Sequence, residues 1–235
     1  MASRKKSRKD LLKKPDEFIT LTGRAIQFAS AYQKQISYGL CALVAVALVI
    51  LGYRFFAHRA ETKAFESLAQ IMASYEADKK ASSPQEAYHK ASEELQRLVK
   101  KYGDNAGGKL ARLRYADISY DAGDYHKAIE LYKQSLNDFK DNQLVYQLIL
   151  SDIGYAYEST KDDRNAVKYF EELSSATDSG LRDEALFNLG LLYDKLGDTA
   201  GSRKAFQEII SNYPNSMYFD IAREKLSSKD FASSS

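Results

Sequence analysis

The second half of the chain carries a pattern that returns three times, and this recurrence restricts its fold more than any single motif. Aligning ARLRYADISYDAGDYHKAIELYKQS with ILSDIGYAYESTKDDRNAVKYFEEL and ALFNLGLLYDKLGDTAGSRKAFQEI places like residues in like columns. A small residue stands at Ala116, Gly154 and Gly190. Aromatics follow at Tyr120, Tyr157 and Tyr193, the last two one place earlier, and a turn falls at Gly123-Asp124, Asp162-Asp163 and Gly197-Asp198. A second small residue, Ala128, Ala166 or Ser202, then precedes Tyr132, Phe170 or Phe206 by four. The interval from Tyr132 to Phe170 is 38 residues and that from Phe170 to Phe206 is 36. Each unit reads as two antiparallel helices, neither able to bury its apolar stripe alone. Stacked units supply the core, with small residues letting helices approach and aromatics filling the gap between them.

A small residue, an aromatic, Gly-Asp, Ala and an aromatic, in that order, resemble the tetratricopeptide repeat, whose unit runs to about 34 residues. Three such units occupy 106–216, and NYPNS from Asn212 to Ser216 resembles the closing turn of the family. The longer spacing and Ser202 in place of Ala depart from the pattern. Upstream, Thr62 to Tyr75 and Pro84 to Tyr102 form two more helical patterns, the second with Ala87, Ala91, Leu95 and Leu98 on one face, so 58–105 reads as a degenerate repeat. Tyr218 to Ser227 reads as a capping helix and Ser228 to Ser235 as a frayed tail, together 217–235. The expected fold is all-α: a single N-terminal transmembrane helix followed by a right-handed tetratricopeptide solenoid.

The membrane segment is ISYGLCALVAVALVILGY, Ile36 to Tyr53, which carries no charge and lies between Lys34 and Arg54. Its 18 residues rise roughly 27 Å as a helix, close to the hydrocarbon thickness of a bilayer. Phe55, Phe56 and Ala57 extend the apolar length past a snorkelling Arg54, giving a span over 36–57. The basic stretch ahead of it is long and no small-x-small cleavage site follows, so the segment reads as a retained anchor. Charge supplies the orientation. Residues 1–34 hold nine Lys and Arg against three acids, whereas 60–235 hold 23 against 29. Lys and Arg stay on the cytoplasmic side, which puts the N-terminus inside and the acidic remainder across the membrane; in a Gram-negative bacterium that is the periplasm, beyond the inner membrane. Cys41, the sole cysteine, lies within the span, so the exported part has no disulfide. From the cytoplasmic segment, 1–35, to the first residue of the span, Phe18, Leu21, Ala25, Phe28, Tyr32 and Ile36 fall at steps of three and four. They form an amphipathic helix suited either to the membrane surface or to a partner helix.

The stretch YGDNAGGKL, 102–110, has phosphate-loop spacing from Gly103 to Gly108-Lys109. Leu110 stands where the Mg²⁺-binding hydroxyl is needed, and a helical pattern precedes the loop where a strand is required. These residues read instead as a joint between helices, with Gly103 in a left-handed cap and Gly107-Gly108 relaxing the connection. His58, His89 and His126 are the only histidines and are scattered, so no metal or catalytic cluster is expected. The acidic pairs Glu93-Glu94, Asp162-Asp163 and Glu171-Glu172 read as wet faces. The acidic exported part disfavours nucleic acid. The expectation is a protein with no enzymatic activity, cofactor, nucleotide or nucleic-acid ligand.

The resemblance supplies the remaining expectation. In tetratricopeptide folds the first helices of the units line a concave groove. Carried over by column, that groove holds Arg114, Asp117, Tyr120 and Asp121, then Asp152, Tyr155 and Glu158, then Phe187, Asn188, Leu191 and Asp194. It is aromatic and acidic. Family members that clamp a C-terminal carboxylate use Lys and Asn where Leu113 and Asp117 stand here, so the expected ligand is an extended or helical segment with basic and apolar residues. A cytoplasmic tail, one span and an exported tetratricopeptide domain together resemble the ancillary Sec-translocon subunit family of bacteria (YfgM type). That resemblance implies a membrane-anchored interaction module beside the export channel, with translocon subunits, periplasmic chaperones or exported polypeptides as partners and lipid around 36–57. An envelope scaffold for cell-division or outer-membrane assembly complexes is the alternative within the same class, and a regulatory subunit of an envelope enzyme the alternative outside it.

Overall fold

Six helix starts in this chain are written in Ser, Asn and Asp, whose side-chain oxygens accept the otherwise orphaned N–H three residues on. Ser83 accepts from Glu86, Asn105 from Gly108, Asp124 from Lys127, Asn142 from Val145, Asp162 from Asn165 and Asp198 from Gly201, at 2.9 to 3.3 Å. A computed structural model describes the backbone of residues 17–176 and 179–232, and the side chains of 23–176 and 179–228. The basic tail ahead of residue 17 lies outside the described residues. The helices are α1 (Glu17–Ala31), α2 (Gln33–Ala81), α3 (Pro84–Tyr102), α4 (Ala106–Asp121), α5 (Tyr125–Asp138), α6 (Gln143–Ser159), α7 (Asp163–Ser175), α8 (Arg182–Lys195), α9 (Thr199–Asn212) and α10 (Phe219–Ala232). No strand occurs among the described residues.

The chain divides into two units, one ending at His58 and the other beginning at Arg59. Helix α2, which begins in the first unit and ends in the second, is long and apolar enough to cross a membrane, and no residue of its apolar stretch is buried. Thr62 to Tyr75 form no separate helix, because nothing between Arg54 and Ala81 caps or breaks the backbone.

In the second unit each helix packs on the next in sequence, through α4–α5, α6–α7 and α8–α9 and on to α10. Its core is three adjoining clusters rather than one centre. The first runs from Leu68, Ile71 and Tyr75 through Ala91, Leu95 and Tyr132 to Ile149 and Ile153. The second holds Leu150, Phe170, Leu173 and Leu189, and the third Leu186, Phe206, Ile209 and Ala222. Helices α6 and α8 each serve two clusters, so one repeat passes its apolar face to the next.

The small and aromatic columns meet in space. A Cβ on Gly154 would lie 2.6 Å from the Phe170 ring, and one on Gly190 2.5 Å from that of Phe206. Both rings are fully buried. Ser202 keeps the column intact although it is polar: its hydroxyl donates to the Gly190 carbonyl at 2.7 Å, so a buried polar atom is satisfied.

Three local expectations are corrected. In each repeat the first helix ends with its last N–H groups reaching back to two carbonyls, as in Asp124 to Ser119 with Gly123 to Tyr120, and Asp198 to Tyr193 with Gly197 to Asp194. The middle repeat does the same with Asp162 to Tyr157 and Lys161 to Glu158, so its turn is Lys161-Asp162 and not Asp162-Asp163. Lys161 takes φ +62° where Gly123 and Gly197 take +82° and +83°. At the near-phosphate loop Gly103 is right-handed, φ −59°, and is required by closeness: a Cβ there would meet the Val99 carbonyl at 2.6 Å and Arg112 at 2.8 Å. Gly107 and Gly108 belong to α4 and are buried, Gly107 facing Ala64 and Phe65, Gly108 against the Tyr102 carbonyl. Finally, α10 continues to Ala232, past Ser228 where fraying is expected. Residues 233–235 lie outside the described residues.

Candidate protein-binding groove

The residues assigned to the groove sit on α4, α6 and α8, the first helices of successive repeats, at one-turn steps that give them a common stripe. On α4, Arg114 pairs with Asp117 at 3.0 Å, and the Tyr132 hydroxyl of α5 donates to the other oxygen of Asp117 at 3.0 Å. Tyr120 and Ser159 bring their hydroxyls within 3.4 Å across α4 and α6. Between α6 and α8, Tyr155 donates to Glu184 at 2.7 Å and accepts from the Asn188 amide at 2.9 Å, while Ser151 donates to the same Glu184 oxygen at 3.1 Å. Phe187 stacks on Tyr218, ring centres 4.6 Å apart, and meets Phe206 edge-on at 6.1 Å.

Six of the eleven expected residues thus make contacts on this face, Arg114, Asp117, Tyr120, Tyr155, Phe187 and Asn188, and a seventh, Asp152, lines a cavity with Tyr120, Tyr132 and Tyr155. Asp121 and Asp194 are exposed, Glu158 is half-buried, and Leu191 packs into the third core cluster. Besides Phe206, which belongs to the core column, five participants escape the column assignment: Tyr132, Ser151, Ser159, Glu184 and Tyr218. Ser151 and Glu184 lie four residues before Tyr155 and Asn188, so extending each stripe one turn back finds them. Tyr132 and Tyr218 lie on other elements, and no stripe on a first helix contains them.

Three carboxyl groups share this face. Burial pushes Asp117 up, against the opposing pull of Tyr132 and Arg114. Asp152 is pushed to about 7, first by burial and then by the like charges of Asp117 and Glu184. Burial and the neighbouring carboxylates also raise the Tyr132 and Tyr155 hydroxyls, which stay protonated and act as donors. The result is a stripe of tyrosine rings and hydroxyls interleaved with acids. No group of His, Cys, Asp and Glu suited to a metal ion exists among the described residues. At the near-phosphate loop, Asn105 takes the Gly108 N–H as a cap, and that donor is closed to a phosphate.

Comparison with known proteins gives the class. Tetratricopeptide-repeat family profiles match residues 85–143, 149–177 and 184–216. The chain belongs to the tetratricopeptide repeat proteins. Its fold is similar to that of a tetratricopeptide repeat protein from Parabacteroides merdae, at 18% identity and a TM-score of 0.54, over 68% of this chain and 59% of that one. It is also similar to BtubC (BKLC) from P. vanneervenii, at 16% identity and a TM-score of 0.50, over 68% of this chain and 72% of the other. No curated protein matches in sequence. Tetratricopeptide repeats are protein–protein interaction modules, which sets the class of partner.

Proposed function

We propose that the chain is a membrane-anchored interaction module whose α4–α6–α8 face takes a polypeptide segment bearing basic and apolar residues. The observation that carries this reading is the stripe itself, in which Asp117, Asp152 and Glu184 alternate with Tyr120, Tyr132 and Tyr155. Aromatic rings give contact area at small entropic cost, and acids select the sign of the ligand. Residues 36–57 cross the bacterial inner membrane, the N-terminus faces the cytoplasm and the repeats face the periplasm, in keeping with the basic residues ahead of the span. Beside the Sec translocon such a module would meet exported chains as they emerge and pass them to periplasmic chaperones.

Photocrosslinking in cells tests the reading, with the reactive group at exposed Asp121 and at Leu148, one turn before Asp152. Translocon subunits, chaperones or nascent exported chains among the trapped species support it. Division or outer-membrane assembly proteins instead would make the chain an envelope scaffold. Orientation is tested separately, with Cys41 replaced by Ser and a new cysteine at exposed Lys100. Labelling of intact spheroplasts by an impermeant maleimide is expected, and protection until lysis would reverse the topology.

A further inference from the structure

The face described above holds a cavity of about 50 Å³ lined by Tyr120, Tyr132, Asp152 and Tyr155. Three aromatic side chains therefore surround one carboxyl group. Their hydroxyl protons are directed elsewhere: Tyr132 donates to Asp117, Tyr155 to Glu184, and Tyr120 shares its contact with Ser159. Among the described residues no side chain donates to Asp152. The charged groups facing it are negative on both sides, Asp117 from α4 and Glu184 from α8. Asp121 adds to the negative field around Asp117, and Arg114 of α4 is held by Asp117 at the exposed edge. What this arrangement lacks is a positive charge. Aromatic faces attract cations, and a carboxylate beside them supplies the counter-charge. The space admits the head of one long side chain but not a whole residue.

Resting on the groove reading above, we propose that this cavity receives one lysine or arginine side chain of the bound segment, and that Asp152 selects for positive charge at that position. A cation entering favours the ionised carboxyl, which burial and like charge otherwise hold up at about 7. Binding near neutral pH therefore releases a proton and tightens as pH rises.

The test is fluorescence anisotropy with the full chain in detergent micelles. The probes are labelled twelve-residue peptides of leucine and alanine carrying one central arginine, lysine, citrulline or glutamate. Arginine and lysine peptides are expected to bind at least about tenfold more tightly than the citrulline peptide, as a partly desolvated ion pair gives. That advantage should grow between about pH 6 and about pH 8, and Asp152→Asn should abolish it while leaving the citrulline peptide unaffected. Equal affinity for arginine and citrulline in the wild-type chain overturns the cation site and leaves the groove reading standing. An arginine advantage that survives in Asp152→Asn overturns the role of that residue. Failure of every peptide to bind overturns the groove reading and the cavity with it. The wild-type comparison and its pH dependence decide the matter even if the variant does not fold.

Discussion

Lys161 bears the clearest backbone strain in the repeats, a long side chain at φ +62° where its counterparts are glycines. A left-handed conformation costs a residue with a Cβ roughly 1 kcal/mol, offset partly by the greater unfolded freedom of glycine. Lys161→Gly is expected to stabilise the second unit by about 0.5 kcal/mol, read from the midpoint of urea unfolding. Gly190→Ala should act in the opposite sense and cost about 2 kcal/mol, because the Phe206 ring already occupies the space a methyl needs. Asp152 gives a pH signature. Folding raises its carboxyl from 3.8 to about 7, so between those values the folded chain holds a proton that the unfolded chain has lost. Stability therefore falls as pH rises through that interval and levels off above it. Asp117, shifted in the same direction, adds to the slope. Thermal melts across this range should show a shallower decline in Asp152→Asn.

Among the helices, the repeat was legible in the sequence because its columns record direct contacts. Gly154 lies under Phe170 and Gly190 under Phe206, so a small residue and an aromatic at fixed separation report one packing event twice. The middle turn is hidden in the sequence because its left-handed residue is a lysine, and glycine is the only strong sequence signal for that conformation. The glycines at 107 and 108 carry a loop signal in sequence because the same residue that frees a backbone also lets two helices touch. The aromatics Tyr120, Tyr157 and Tyr193 are half-buried rather than core. Tyr157 stacks on Tyr169 and accepts from Lys133 at 2.5 Å, and Tyr193 donates to Glu171. Phe170→Ala should accordingly cost about 4 kcal/mol, whereas Tyr157→Phe, which removes only a rim hydrogen bond, should cost about 1 kcal/mol or less. Equal melting temperatures for the two variants would contradict this division of the columns. Of the groove, the assigned acids and rings on first helices are readable by column. Glu184, one turn before Asn188, falls outside those columns, and Tyr132 and Tyr218 reach the face from other elements, so no stripe on a first helix contains them.

At the scale of the whole repeat unit, each core cluster shares helices with its neighbour, α6 between the first and second and α8 and α9 between the second and third. Opening one repeat therefore need not open the rest. Hydrogen exchange should show a gradient, fastest in α10, whose buried contact with the core rests on Ala222, and slowest around the fully buried Ile149, Ile153 and Phe170. Uniform protection across all helices would mean that the clusters act as one. Under tension the same construction behaves as a chain of separate latches: a pull on the C-terminal end would release one hairpin after another at modest force and let each re-form when the load slackens.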